Sequence, residues 1–406
     1  MPDRPAPLSI LDLAPVVEGS TPGQALRNTL DLARQAEEAG YLRYWVAEHH
    51  FSAGVAAASP TVLIAAIAAV TSRIRVGAGA VQLGHQTPLA VVEAFGTLSG
   101  LYPGRIDLGL GRSGQRRLEE RRKAAAEQGA GGPAQARPGA AGYSGGTGGT
   151  GGTGGSRGGA GEARVVNGLL IPPHYSQGEL LKSPRFALNA ALLQQPGAVT
   201  PDFGEQVTDI LAFLAGTWRS ADGISMTAVP GAGADAEVWI LGSSGGQSAR
   251  VAGALGLPFT ANYHVSPSTV LEAAQSYRSA FQPSPVLSAP HVMVSADVVV
   301  APTDAAAREL AAGYGLWVRS VRSPAGAMEF PSPATAAAHP WTERDATLVE
   351  DRVATQFVGS PGTVAKSLRI LADAAGADEL LVTTITHSHA HRVRSFQLLA
   401  REWGLS

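Results

Sequence analysis

Along the chain, short apolar runs alternate with amphipathic stretches, the pattern of repeated strand–helix units. Leu8 to Val17 reads as a first strand, and Thr21 to Ala39 as its helix, with Thr21 as N-cap, Pro22 in the first turn and Gly40 ending it. Tyr44 to Glu48 is a second strand, and Ser59-Pro60 opens a helix that runs to Val70. Six more strands are expected at Ile74 to Leu83, Ile106 to Gly111, Val238 to Leu241, Phe259 to Tyr263, Val292 to Val300 and Leu380 to Thr384. Helices are expected over Pro88 to Ser99, Gln247 to Leu255 and Arg392 to Trp403. Eight strands rich in Val, Ile, Leu and Ala, separated by helix, fit a parallel sheet buried on both faces. The expected fold is α/β: one (β/α)8 TIM-barrel domain over residues 1–406 with insertions after strands 4 and 7. A doubly wound open sheet is the alternative.

Two segments break this pattern. From Gly139 to Gly161, Gly supplies 13 of 23 residues and almost nothing apolar is present, so residues 129–163 are expected to be a flexible insertion. Just before it, Arg116 to Gln128 has the composition of a solvated helix, or of a patch for an anionic partner. The Pro- and Ala-rich segment Arg322 to Trp341 follows strand seven, where it is either a lid over the barrel mouth or a plain surface loop.

Composition narrows the functional classes. With 45% hydrophobic and 16% charged residues, the chain has ample material for a large core. A net charge of -2 gives no footprint for nucleic acid. The absence of Cys excludes disulfides, thiolate metal sites and Cys nucleophiles. The longest strongly apolar run, Thr61 to Val70, is half of the ~20 residues that a membrane span needs, and the first residues lack the basic head of a signal peptide. A cytoplasmic protein with neither membrane nor nucleic-acid partner is expected.

In a parallel barrel, catalytic groups stand at the C-terminal ends of strands. Strand two ends in Glu48-His49-His50, which offers a general base, a donor to an oxyanion or part of a metal site, or else simply satisfied polar groups. Strand three is small-residue rich around Gly77, Gly79 and Ala80, which suits close approach of a flat ligand or a kink in the strand. Strand four ends at Gly111-Arg112, placing a guanidinium at the mouth, where it suits a phosphate or a surface acid. Strand five runs through Leu241-Gly242-Ser243-Ser244-Gly245-Gly246 into a helix, an anion cradle of backbone N–H groups, hydroxyls and helix N-terminus, or an ordinary Gly-rich connection. His387, His389 and His391 follow strand eight; extended, they would share a face and could hold a metal, but the helix beginning near Arg392 breaks the alternation. That leaves His387 facing the mouth and no metal expected.

Four segments together resemble the luciferase-like monooxygenases, the bacterial luciferase superfamily of flavin-dependent barrels. They are Arg43 to Phe51, Ile74 to Arg112, Trp239 to Phe259 and the tail from Phe357, about half of the chain. The resemblance implies a monooxygenase in which reduced FMN, supplied by a separate flavin reductase, reacts with O2 and oxygenates a small-molecule substrate. Residue by residue, it implies His49 as the catalytic His and a non-proline cis peptide at Gly79-Ala80. It implies Gly111 and Arg112 beside the phosphate, with Leu241, Gly242, Ser243 and Ser244 as a second phosphate loop. Glu48, His50 and His387 are the expected substrate-pocket residues, and the segment Arg322 to Trp341 would keep water out. Gln247 stands where some relatives carry a hydroxyl residue, and the Gly-rich tract is unlike the ordered connection usual in relatives. The related coenzyme F420-dependent dehydrogenases share the barrel, so F420 is the alternative cofactor and hydride transfer the alternative reaction; a non-catalytic flavin-binding relative is the third. A homodimer through the Ala-rich helix Pro60 to Val70 is also expected.

Overall fold

Strands this apolar must be covered on both faces, and closing the sheet on itself does so without leaving an edge. In the computed structural model, which describes residues 5–112, 162–175 and 183–405, eight strands form the barrel. They are β1 (Leu8–Asp12), β2 (Arg43–Val46), β3 (Arg75–Ala78), β5 (Ile106–Gly111), β8 (Glu237–Gly242), β9 (Phe259–Asn262), β10 (Val292–Val300) and β12 (Glu379–Thr383). A short strand, β4 (Val81–Gln82), continues β3 and pairs with β5. All barrel pairings are parallel, and β9 to β10 closes the ring. The expected TIM barrel is therefore the fold, and the open sheet is set aside.

Helices α1 (Pro22–Glu38), α2 (Pro60–Val70) and α3 (Pro88–Leu101) begin where expected; Thr21 is the N-cap of α1 as read from the sequence, and Thr87, not singled out there, caps α3 in the same way. The first strand is shorter than its apolar run. It ends at Asp12 because the Asp12 carboxylate takes the Ala14 N–H (2.7 Å), Ala14 turns to φ 48°, and Pro15 has no N–H to give a ladder. The expected third strand is in two pieces, joined through the cis peptide Gly79-Ala80.

Inside the barrel, Trp45 and Trp239 meet edge to face at 5.3 Å. Beneath them, the N-terminal ends of the strands carry buried charge: Arg43 pairs with Asp107 (2.9 Å), Glu237 (2.9 Å) and Glu379 (3.1 Å), and Arg75 with Asp107 (2.6 Å). Such a plug is held by mutual pairing, since any member alone would be an uncompensated buried charge. The small residues of strand three have a local reason here. A Cβ on Gly77 would stand 2.5 Å from the Asp107 carbonyl oxygen, and one on Gly109 2.0 Å from that of Ala78.

The connection after β5 is long. Its described part holds the hairpin β6 (Arg164–Val166) and β7 (Leu169–Ile171) and helices α4 (Pro184–Leu192) and α5 (Phe203–Leu214). Arg116 to Gln128 and nearly all of 129–163 lie outside the described residues. Helices α6 (Gln247–Ala254) and α7 (Val270–Ala280) follow β8 and β9. After β10 come α8 (Asp304–Ala311), α9 (Tyr314–Val321), α10 (Pro333–Ala338), α11 (Glu343–Ala354), an outer strand β11 (Phe357–Gly359) and α12 (Pro361–Ala375). The last helix, α13 (His389–Trp403), is fastened to β1 by Arg392, whose Nη2 donates to buried Asp12 at 2.6 Å.

Candidate active site

Register places the sequence-selected residues side by side. Val81, Leu110 and Ile240 share one row across β4, β5 and β8, and Gln82, Gly111 and Leu241 share the next. Around these rows the sequence-selected residues form one arc: Ala80 just before β4, Gly111 and Arg112 at the end of β5, Gly242, Ser243 and Ser244 at the end of β8, with Glu48, His49 and His50 after neighbouring β2.

Glu48 is 4% exposed and organises the β2 end of this arc. Its Oε1 meets His50 Nε2 at 2.9 Å and His85 Nε2 at 2.7 Å, while Oε2 accepts the Gln82 N–H at 2.8 Å. The Gln82 amide returns a bond to the Glu48 carbonyl at 2.7 Å. Burial alone would raise the pKa of Glu48, but these hydrogen bonds outweigh it and hold the group at about 2. The three ligand atoms of Glu48, His50 and His85 lie within 4.8 Å of one another, a donor set of the kind that can take a divalent ion. His49 is exposed, and its backbone N–H donates to the Ala57 carbonyl at 2.8 Å.

The turn carrying His85 is braced by the insertion after β5. Gln194 Nε2 and Thr200 Oγ1 donate to the Gly84 carbonyl at 2.7 and 3.0 Å, and Gln206 Nε2 donates to that of Leu83 at 3.1 Å.

At the far end of the arc, β8 stops at Gly242 and α6 starts at Gln247. The Ser243 and Gly245 carbonyls accept hydroxyls from Thr269 (2.5 Å) and Ser276 (2.9 Å). The loop is thus fixed from outside, and Ser243, Ser244 and Arg112 are half-buried at the mouth. Gln247 does not extend the cradle: its amide donates to Asp202 Oδ2 at 2.5 Å.

The residues expected after strand eight separate. His387 Nε2 bonds the Glu18 carbonyl at 3.1 Å on the rim. His389 meets Asp31 of α1 at 2.7 Å, and His391 is exposed on α13, which Ser388 caps. The helix begins three residues earlier than the composition suggested, so the alternation that would have put the three imidazoles on one face is lost.

Segment 322–341 is bonded to the chain that follows β1 and β2. Phe330 exchanges backbone bonds with Val16 (2.8 Å) and Glu18 (2.9 Å), the Gly54 N–H donates to Ala327 (2.9 Å), and the Glu18 carboxylate accepts the Ser332 N–H and the Thr335 hydroxyl. Sequence reasoning missed His85, Asp202 and His264. His264 Nδ1 lies 2.6 Å from Ser295 Oγ; burial, together with the charges of Arg352 and His49, pushes its pKa down to about 3. His85 follows a strand end as His49 does, and that rule would have found it.

A family-wide profile described as luciferase-like monooxygenase matches residues 7–130 and 198–379. The chain is 34% identical over 399 residues to the Bacillus subtilis protein YvbT, covering 98% of this chain and 96% of that one. It is 31% identical over 401 residues to a luciferase-like monooxygenase of Escherichia coli K12, covering 98% and 97%. Among solved structures, apo-MsnO8 superposes with a TM-score of 0.72 at 31% identity, covering 99% of both chains. The fold is shared at lower identity by the oxygenating constituent of 3,6-diketocamphane monooxygenase from Pseudomonas putida in complex with FMN (TM-score 0.58, 19%, covering 98% and 97%). An F420-dependent secondary alcohol dehydrogenase shares it too (TM-score 0.57, 11%, covering 98% of both chains). On the breadth of the profile match and the full-length relatives, this chain belongs to the luciferase-like monooxygenase family.

Proposed function

We propose that the protein is a flavin-dependent monooxygenase that receives reduced FMN from a separate reductase and uses O2 to oxygenate a small organic substrate. The observation that carries this is the arc: a small-residue platform at Gly79, Ala80 and Gly111 leads directly to a guanidinium and a Ser-rich loop at a helix N-terminus. That order of flat surface and then anion donors fits a ring bearing a phosphate side chain. Its FMN-binding fold neighbour supports the same cofactor.

Arg112, Ser243 and Ser244 would hold the phosphate, with Gly242 and Leu241 shaping the loop, and Gly79, Ala80 and Gly111 would lie against the ring. When bound, the flavin supplies the electrons and the oxygen chemistry. His49, exposed just after β2, would hold or move a proton at its ring nitrogen. Glu48 holds His50 and His85 in place, and His50 and His387 would stand toward the substrate side. The segment 322–341, clasped by Glu18 and Gly54, would exclude water. Helix α2, apolar but for Thr61 and with Val62 70% exposed, would pair two copies of the chain, which a mass measurement in solution tests.

The test is an anaerobic titration with reduced FMN and, separately, reduced F420, followed by admission of oxygen. Reduced FMN should bind, and its oxidation should follow a rate and spectrum distinct from those of free flavin. Binding of F420 alone, without oxygen consumption, would move the protein to hydride transfer. FMN bound but oxidised as in free solution would make it a non-catalytic relative.

A further inference from the structure

An acid stands where a phosphate site calls for donors. Asp202 caps α5: its Oδ1 accepts the N–H groups of Gly204 (2.8 Å) and Glu205 (3.4 Å), and its Oδ2 accepts the Gln247 side-chain amide at 2.5 Å. Gln247 is the first residue of α6, so the insertion after β5 reaches across to the loop after β8 through this one carboxylate. Desolvation works to raise the pKa of Asp202, but the bonds from Gln247, Gly204 and Glu205, together with the charge of Arg112, hold it below its usual value. The group is therefore a carboxylate at neutral pH. It shares the field of Arg112 and occupies the Gln247 amide, the next polar group beyond Ser243 and Ser244.

We infer that Asp202 sets the strength of this phosphate site, its fixed carboxylate opposing a phosphomonoester that Arg112 and the serine loop attract, so that the flavin nucleotide is held as an exchangeable substrate. The inference rests on the reading of Arg112, Ser243 and Ser244 as phosphate ligands. A guanidinium facing a dianion favours retention; a negative charge held beside the first residue of α6 opposes that attraction. A flavin delivered by another enzyme and returned to it must leave, and an acid built into the cradle supplies that property without altering the contacts to the ring.

The experiment compares FMN and riboflavin binding to the full chain and to Asp202→Asn. Asn is isosteric and caps helices as well as Asp does, so α5 keeps its N-terminus while the charge goes. FMN should bind about tenfold tighter to the variant, as expected for removing one nearby like charge, with riboflavin unchanged and the gain shrinking at high salt. Asp202→Ser, which also caps but carries no charge, should behave likewise. FMN affinity unchanged or weakened in both variants, while the wild type still prefers FMN to riboflavin, would overturn the role of Asp202 and leave the phosphate site standing. An equal gain for riboflavin would also overturn it, since the effect would then not act through phosphate. If the wild type binds FMN and riboflavin alike, the phosphate assignment fails and the inference with it.

Discussion

His85 Nε2 lies 2.7 Å from Glu48 Oε1, although 37 residues separate them in the chain. The contact ties the end of β2 to the turn that follows β4, and the same carboxylate holds the Gln82 backbone between them. Glu48 is thus the joint on which one side of the mouth is set.

Replacing Glu48 by Gln should cost about 2 kcal/mol of stability at neutral pH, the scale of lost hydrogen bonds to a buried charged group. The sign of the pH dependence follows from the lowered pKa. A carboxyl held at about 2 in the folded chain, against 4.5 in its ordinary state, stabilises fully above 4.5, and that contribution fades as pH falls toward 2. Chemical denaturation of wild type and Glu48→Gln at pH 7 and pH 4 should show the gap narrowing at the lower pH. A gap that stays constant would mean that Glu48 acts through shape alone.

Gly54 is the tightest contact of segment 322–341, which we propose as a cover. A Cβ there would stand 1.8 Å from the Met328 carbonyl oxygen, so Gly54→Ala must push residues 327–330 off the loop after β2. Hydrogen exchange should quicken at Ala327 to Ser332 while the barrel strands stay protected, with a loss of about 1–3 kcal/mol typical of overpacking. In turnover, more of the oxygen consumed should emerge as hydrogen peroxide. Unchanged exchange at this segment would remove its role as a cover.

His49 is an exposed residue, so its removal tests chemistry more than folding. His49→Ala should keep FMN affinity within about twofold and lower turnover about a hundredfold, the scale of a lost proton-transfer group. Binding and turnover falling together would make it a flavin-positioning residue.

The barrel was legible because a run such as Val292 to Val300 has no stable place but between two covered faces. The long connections were not, though one signal stood in plain sight: Val166-Asn167-Gly168-Leu169 turns a hairpin, with Asn167 at φ 51° and Gly168 at φ 84°. The arc of the site could be read because each of its members follows its own strand. Its supports could not. Asp12 sits inside an apolar run and finds Arg392 380 residues away, and Asp202 finds Gln247 45 residues away. Pairings of that kind follow from how strands are ordered around the ring and leave no period in the sequence.

If the arc from Ala80 to Ser244 binds a flavin nucleotide by its phosphate, Arg112→Ala must separate FMN from riboflavin. FMN and riboflavin dissociation constants should be measured for wild type and variant under the same salt. FMN should weaken about 30- to 100-fold, the scale of a lost charge-assisted phosphate contact, with riboflavin changed less than about twofold. Equal weakening of both ligands, or of neither, would place the phosphate elsewhere and contradict this binding mode.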